Sequence, residues 1–263
     1  MKGECFVNAE SLSAYERVQK ARETKRAGIY DYIEALFDDF MEFHGDRLYR
    51  DDPSIVGGIG VLDGMPVTVI GHRKGKDTGE QIKYNFGMTS PEGYRKAIRL
   101  MEQAERFNRP VLTLVDTPGA YPGIEAESNG QSNAISGCIA KMCNLKTPSI
   151  CIITGEGNSG GALALAVADR VWMLENAVYS ILSPEGFASI LWKDASKSAL
   201  AAGLMRLTAD DLKNDGFIDT VIKEDDKLTE HIRKLLISEF HDLGNIRTEE
   251  LLKKRYARYR KVM

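Results

Sequence analysis

Two segments of the chain share one order of features, in which an apolar run is followed by a glycine-containing stretch and then by a helical pattern. The first joins residues 111–115 to 117–123, and the second joins residues 150–153 to 155–161. Alternating strands and helices predict an α/β fold with repeated β-β-α units. Glycine lets the backbone approach a ligand closely, and the first N–H groups of a helix lack partners within it. Two such units side by side would form an oxyanion hole of main-chain donors, although close helix–strand packing explains the glycines equally well.

Further elements are indicated before the first of these units. Residues 11–43 are predicted to be helical, because apolar side chains between Ile29 and Phe40 recur at helical spacing. Asp63-Gly64 separates two apolar runs and predicts a β-hairpin, since a type I′ turn requires positive φ at both central residues. Ser90-Pro91 predicts the start of a helix, with a capping residue followed by proline at the first helical position.

The second half of the chain continues the alternation of strands and helices. A helix is predicted where Ile135, Cys138, Ile139 and Met142 fall on one face. Short strands are predicted at 171–174 and 178–182, and polar helices over 225–263. The basic run within 253–261 is interpreted as a solvated helix face, with a polyanion site as the less favoured alternative.

Composition excludes several classes of protein. The 263 residues are 43% hydrophobic and 28% charged, which is typical of a globular protein, and the net charge of −3 would not recruit nucleic acid or an anionic membrane. We expect no membrane span and no secretory signal, because no long apolar run occurs. The cysteines contain no Cys-x-x-Cys pair and predict a reduced cytoplasmic protein without a bound metal; they are Cys5, Cys138, Cys143 and Cys151.

Two sharper interpretations of the glycine-rich segments are disfavoured. Asp116-Thr117-Pro118-Gly119 is similar to a GTPase switch, but the chain has no phosphate-binding loop of the P-loop type. The segment around Ser159 is similar to the loop of a serine nucleophile, which requires a base. The four histidines, His44, His72, His231 and His241, lie far from Ser159 in the sequence. Ser159 is therefore interpreted as a cap of the following helix.

A set of ordered segments resembles the carboxyltransferase α-subunit family of bacterial acetyl-coenzyme A carboxylase. The resemblance extends over about residues 10–260. The segments that carry it are 43–47, 85–88, 91–97, 116–123, 155–157, 159–164, 183–186 and 188–193. It implies an α/β crotonase-like (ClpP/crotonase) fold, which is a spiral of β-β-α units with helical N- and C-terminal extensions. We accordingly expect an N-terminal helical extension at 1–50, a carboxyltransferase core at 51–225 and C-terminal helices at 226–263.

The resemblance also implies a reaction and its participants. A carboxyl group would pass from carboxybiotin, held on a biotin carboxyl carrier protein, to acetyl-coenzyme A, giving malonyl-coenzyme A for fatty acid biosynthesis. No cofactor would be bound to this chain, and ATP would be used by a separate biotin carboxylase. A β subunit with a zinc ribbon would supply most of the coenzyme A half of the site in an α₂β₂ assembly. The absence of a Cys-x-x-Cys pair favours the α subunit.

The family's site residues can be transferred to positions of this sequence. Main-chain donors are expected at the start of the second helix and in the first loop, and neighbouring residues are expected to permit close approach or to line the pocket. The donor positions are Gly160, Gly161, Gly119 and Ala120, and the binding positions are Gly157, Tyr121 and Pro122. A side chain added at Gly161 is expected to face the pocket. Asn158 departs from the small residue expected there, but asparagine tolerates positive φ.

Alternative functions differ in the acyl group or in the need for partners. A carboxyltransferase subunit for another acyl-coenzyme A would share the fold and the biotin chemistry. A crotonase-fold hydratase or isomerase would act alone, without a biotin carrier or a β subunit. An RNA-binding scaffold that uses the basic tail would show salt-sensitive binding.

Overall fold

An eight-stranded mixed sheet runs through the computed structural model of the chain, which describes residues 12–261. Cys5 lies outside the described residues. The strands are β1 (Phe40–Glu42), β2 (Ile55–Leu62), β3 (Met65–His72), β4 (Val111–Thr117), β5 (Ser149–Asn158), β6 (Arg170–Leu174), β7 (Val178–Ser180) and β8 (Thr220–Ile222). Their order is β1-β2-β3-β4-β5-β6-β8, and β7 pairs with the far end of β5. The first two pairings are antiparallel and the others are parallel, so the expected α/β architecture is confirmed.

The helices connect the strands and cover the sheet. They are α1 (Ala14–Ala21), α2 (Ile29–Leu36), α3 (Thr78–Lys83), α4 (Pro91–Arg106), α5 (Ile124–Ser128), α6 (Gln131–Cys143), α7 (Ser159–Ala166), α8 (Pro184–Trp192), α9 (Ser198–Leu204), α10 (Ala209–Asn214), α11 (Leu228–Gly244) and α12 (Thr248–Arg260), with short 3₁₀ turns at Asn85–Gly87 and Ala195–Lys197. Within the described residues, no helix is both long and apolar enough to cross a bilayer.

The β2–β3 hairpin and the start of α4 form as the sequence predicts. Asp63 and Gly64 have φ of 51° and 77°, which matches the type I′ turn. Ser90 occupies the N-cap position of α4 in extended conformation, although its side chain makes no capping hydrogen bond, and Pro91 is the first helical residue. The apolar side chains of the hairpin and of α4 belong to one buried core, which extends across β2 to β6.

The prediction that residues 11–43 are helices is wrong at the C-terminal end of this range. Phe37 is already extended, and Phe40 lies in β1, where it pairs with Gly60 of β2. The edge of the hairpin offers backbone partners that override the helical spacing. The buried face of α2, which includes Ile33 and Leu36, belongs to the main core. The boundary at residue 50 stays a prediction.

The C-terminal residues are helical as predicted, and the basic run is solvated only in part, since Lys253, Lys254, Arg260 and Lys261 are exposed. Arg255 is only 1% exposed, and Arg258 contacts the Asp219 carboxylate at 2.6 Å. The Tyr259 hydroxyl donates to a main-chain carbonyl after α7. The spacing of the run put these side chains on one helix, and only the tertiary structure shows which of them turn inward.

Candidate functional site

The second glycine-rich segment is not a loop. β5 continues through Gly155 to Asn158 and pairs with β7, and α7 begins at the next residue. The change of direction is made by Ser159 alone, whose φ is +59°. Asn158 has φ of −113°, so the tolerance of asparagine for positive φ is not used. The expectation of a glycine-rich loop at 155–161 is therefore wrong, because a second strand partner extends β5.

The first turn of α7 presents main-chain N–H groups without caps. Ser159 is the first helical residue rather than the cap, which corrects the interpretation of its role. Asn158 occupies the cap position, but its Oδ1 accepts a hydrogen bond from the Ser180 hydroxyl at 2.9 Å. Among the described residues, no side chain caps the N–H groups of this turn. These groups, with the positive end of the helix dipole, favour an anionic oxygen.

The loop after β4 supplies a second candidate donor. Gly119 has φ of +143°, and its N–H donates a hydrogen bond to the Thr117 hydroxyl at 3.1 Å. Ala120 forms a parallel bridge with Thr89, in which the N–H of Tyr121 donates to the Thr89 carbonyl at 3.0 Å. That bridge does not use the N–H of Ala120, which has no acceptor among the described residues. Gly119 thus shapes the loop, and Ala120 provides the available donor.

The two candidate donor segments touch each other at Gly161. A Cβ built on Gly161 would lie 2.6 Å from the Ala120 nitrogen and 2.7 Å from the Gly119 carbonyl carbon. The expectation that a substituent there faces the pocket is wrong, since the position is closed by the main chain of the neighbouring loop. A Cβ on Gly160 would lie 3.5 Å from Ile135, which is an ordinary contact. The side-by-side arrangement of the two segments follows the prediction.

The other three predicted residues lie around this junction. Gly157 pairs with Thr117 of β4, and a Cβ there would lie 3.0 Å from the Tyr179 ring. The Tyr121 carbonyl accepts a hydrogen bond from the Gln131 amide at 2.9 Å, and Pro122 is exposed. The structure therefore places all seven predicted residues in one region, at the carboxyl ends of β4 and β5 where ligands of parallel sheets commonly bind.

A cavity of about 840 Å³ opens beside the start of α7. Gly160 lines it, whereas the other six predicted residues lie outside its lining. Most of its wall is apolar, and charged groups stand at Arg206, Asp215 and Arg258. Its apolar lining includes Leu163, Ala166, Tyr179, Ile181, Phe187, Leu204, Met205 and Phe217. Its volume is in the range of small-molecule sites.

A partly buried ion cluster joins the two strand ends. Lys74 contacts Asp116 at 2.7 Å and Glu156 at 2.9 Å, and Arg22 contacts the other oxygen of Glu156 at 2.7 Å. The Asp116 carboxylate also accepts from the N–H of Glu156 at 2.9 Å. Burial raises the pKa of Glu156, but Lys74 and Arg22 outweigh burial and hold this pKa below its usual value. The cluster fixes the residues that precede both donor segments.

The described histidines lie outside the two donor segments. His72 is 3% exposed, and His44 lies 3.2 Å from Asp51, while His231 and His241 lie beside Asp225 and Asp242. The residues that line the cavity, all within 12–261, include no histidine. In the same part of the chain, no group of three or more potential ligands could hold a metal ion. The geometry therefore offers main-chain donors rather than an acid–base side chain.

Several residues around the site were not identified from the sequence patterns. Tyr94 of α4 places its hydroxyl 3.0 Å from the Cβ position of Gly161, whereas its spacing in the sequence indicates only a residue on the apolar face of a helix. The pairing of Lys74 with Glu156 could not be recognised from the sequence, because an ion pair between distant segments produces no periodic pattern. A charged residue inside the apolar strand pattern of β5 was the available signal for Glu156.

Comparisons with known proteins identify the family. The profile of the family described as acetyl co-enzyme A carboxylase carboxyltransferase-like matches residues 5–263. The acetyl-coenzyme A carboxylase carboxyl transferase subunit alpha of Clostridium acetobutylicum is 54% identical over 263 residues, which cover 97% of this chain and 96% of that protein. The subunits beta/alpha protein of Clostridium tetani is 53% identical over 95% of this chain, which spans 45% of the longer protein's length.

A solved structure with low sequence identity supports the fold. Transcarboxylase 12S matches with a TM-score of 0.73 at 19% identity, over 90% of this chain and 46% of that one. The sheet topology and this likeness together confirm the predicted crotonase-like fold. The extent and identity of the sequence matches settle the relationship. The chain belongs to the family of acetyl-coenzyme A carboxylase carboxyltransferase α subunits.

Proposed function

We propose that this chain is the α half of a carboxyltransferase that moves a carboxyl group from carboxybiotin to acetyl-coenzyme A and forms malonyl-coenzyme A. The observation that carries the proposal is the contact between the uncapped start of α7 and the available N–H of Ala120. Two main-chain donors at one point stabilise an oxygen that becomes anionic, and they do so in the absence of a side-chain base. The relatives' names support the choice of substrates.

The proposed chemistry balances without an acid or base from this chain. The bond between the ureido nitrogen and the carboxyl carbon of carboxybiotin breaks, which releases carbon dioxide and leaves negative charge on the ureido group. The donors at Ala120 and α7 stabilise this charge on the ureido oxygen. The ureido nitrogen then takes the α-proton of the thioester, and the resulting enolate attacks carbon dioxide. The products are malonyl-coenzyme A and neutral biotin.

The cavity beside Gly160 suits the biotin side of this reaction. Its apolar wall would pack against the fused rings and aliphatic arm of biotin, and the polar ureido edge would lie at the Gly160 end, where the cavity meets the start of α7. Carboxybiotin would arrive as a substrate on a biotin carboxyl carrier protein. A separate biotin carboxylase would have used ATP to load it.

A β subunit would supply the coenzyme A half and the donors for the thioester enolate. The name of the fused Clostridium tetani relative, which combines beta and alpha subunits, supports this partnership. We place the complex in the cytoplasm and expect an α₂β₂ assembly with a zinc-ribbon β subunit. The predicted core at 51–225 would carry the α half of the site.

Reconstitution tests the proposed function. The purified chain alone is expected to be nearly inactive, and addition of the β subunit should produce malonyl-coenzyme A from acetyl-coenzyme A and carboxybiotin. Strong malonyl-coenzyme A formation by the isolated chain would contradict the requirement for a partner. A higher kcat/KM with another acyl-coenzyme A would transfer the proposal to that substrate, and hydration of an enoyl-coenzyme A by the chain alone would favour a hydratase.

A further inference from the structure

The hydroxyl of Tyr94 is buried at the junction of the donor segments and lacks a partner there. Tyr94 lies in the first turn of α4 and is 0% exposed. Its hydroxyl makes no hydrogen bond of acceptable geometry with a described residue, although the Thr89 side chain lies nearby, and the hydroxyl lies 3.0 Å from the Cβ position of Gly161. Burial raises the pKa of this phenol, so it stays protonated. An unpartnered buried hydroxyl lowers the stability of a folded chain and calls for an explanation.

The start of α4 contacts both donor segments. Thr89, just before α4, bridges Ala120 and accepts from the N–H of Tyr121 at 3.0 Å. The Gln131 amide closes this contact by donating to the Thr89 and Tyr121 carbonyls, at 2.8 Å and 2.9 Å. One helical turn later, the Tyr94 hydroxyl packs against Gly161. The same short stretch of chain therefore determines where Ala120 lies and where α7 begins.

This arrangement has a consequence for the distance between the donors. Replacing tyrosine by phenylalanine removes one oxygen atom from a closed contact and leaves a small void beside Gly161. The start of α7 could then shift toward α4, while Ala120 stays bound to Thr89. A small displacement of a positioned group is sufficient to slow an enzymatic reaction strongly.

We propose that Tyr94 is a positioning residue, and that its hydroxyl holds the start of α7 at the separation from Ala120 that the anionic oxygen requires. The inference rests on the proposed carboxyl transfer. It predicts opposite effects on stability and turnover, because the hydroxyl is unpartnered in the free chain but needed in the site. A hydroxyl with a merely structural role would not produce this opposition.

The test compares Tyr94→Phe with the wild type after reconstitution with the β subunit. We expect kcat to fall about 10- to 100-fold, with KM for acetyl-coenzyme A within about 2-fold. We also expect the Tm of the isolated chain to rise by roughly 2–4 °C. An unchanged kcat, or a lower Tm, would overturn the proposal. Tyr256→Phe is the control, since Tyr256 of α12 is 68% exposed, and its kcat should not change.

A double variant tests whether the two contacts of α4 act together. Gln131→Met loosens the contact of Thr89 with Tyr121, and it should reduce kcat by itself. Combined with Tyr94→Phe, the loss should be smaller than the product of the single losses. A fully multiplicative loss would show that the two contacts act independently and would overturn the shared role of α4. Absence of malonyl-coenzyme A formation by the wild-type complex would instead count against the proposed function, whereas the Tm comparison needs no turnover.

Discussion

The guanidinium of Arg255 contacts both carboxylate oxygens of Asp169, at 2.8 Å and 2.7 Å, and both side chains are buried. Arg255 also donates to the carbonyls of Met142 and Leu145 at the end of α6, at 2.9 Å and 2.6 Å. A positive charge at a helix C-terminus is favourable, and a planar guanidinium suits the paired geometry. This contact joins the last helix to the strand–helix units of the core.

Arg255→Met should lower the free energy of unfolding by about 3–5 kcal/mol, because the Asp169 carboxylate then stays buried without its partner. Urea unfolding of the isolated chain measures the loss. Lys254→Ala is the control, since the exposed Lys254–Glu250 pair should contribute only about 0.3–0.5 kcal/mol. Equal losses in the two variants would show that the Arg255 pair is no stronger than a surface pair.

Ser159→Ala should keep kcat within about 3-fold of the wild type, because no described histidine lies in the cavity that Ser159 lines and the side chain makes no cap. A nucleophile would instead lose several orders of magnitude in rate. Ser159→Val tests the backbone: at φ of +59° a β-branched residue is strained, so its Tm should fall below that of the alanine variant. A collapse of turnover in a folded alanine variant would support a serine hydrolase.

Gly161→Ala should destabilise the chain by about 1–3 kcal/mol and reduce carboxyl transfer, because its Cβ would overlap the main chain of Gly119 and Ala120. Gly160→Ala is the matched variant, with its nearest neighbour 3.5 Å away. Its stability should stay within about 1 kcal/mol of the wild type, since alanine favours the helix. Thermal unfolding and turnover measurements on both variants test this difference. A larger stability loss in Gly160→Ala than in Gly161→Ala would contradict the steric argument.

The stability of the chain should fall with pH below about 6.5 through His72. Burial, together with the nearby Lys74, lowers the pKa of His72 from 6.5 to about 3. The unfolded chain therefore takes up the proton first, and the stabilisation present above pH 6.5 is lost as the pH falls toward 3. Between pH 7 and pH 5, the wild type should lose about 2 kcal/mol relative to His72→Leu. Urea unfolding at both pH values tests this, and parallel losses would contradict it.

The sequence predicted those elements whose signal is local. The Asp63-Gly64 turn, the Ser90-Pro91 helix start and the strand–helix alternation depend on neighbouring residues and form as expected. The resemblance to a family located the candidate site as a region. Local patterns were insufficient where a segment distant in the sequence determines the secondary structure. Phe40 is in a strand because it pairs with β2, and β5 extends through Gly157 because it pairs with β7.

The details of the site depend on contacts between segments that are far apart in the sequence. The burial of Arg255 and the bridge from Lys74 to Glu156 follow from how α12 and β3 pack, which no spacing pattern encodes. The same is true of Gly161, whose neighbour is the loop after β4 rather than the cavity. A glycine pattern indicates a position where the backbone lies close to another group. Only the three-dimensional structure shows whether that group is a ligand or another segment of the chain.

The direct passage of β5 into α7 has a consequence for how the complete enzyme could move. Asn158 ends the strand and Ser159 begins the helix, so no residue lies between them, and the end of the strand is paired on both sides with β4 and β7. A lid hinged at this point would have to break strand pairing in order to open. The start of α7 is therefore held in place by the sheet, and we expect the opening that admits a substrate to involve other elements or a partner subunit.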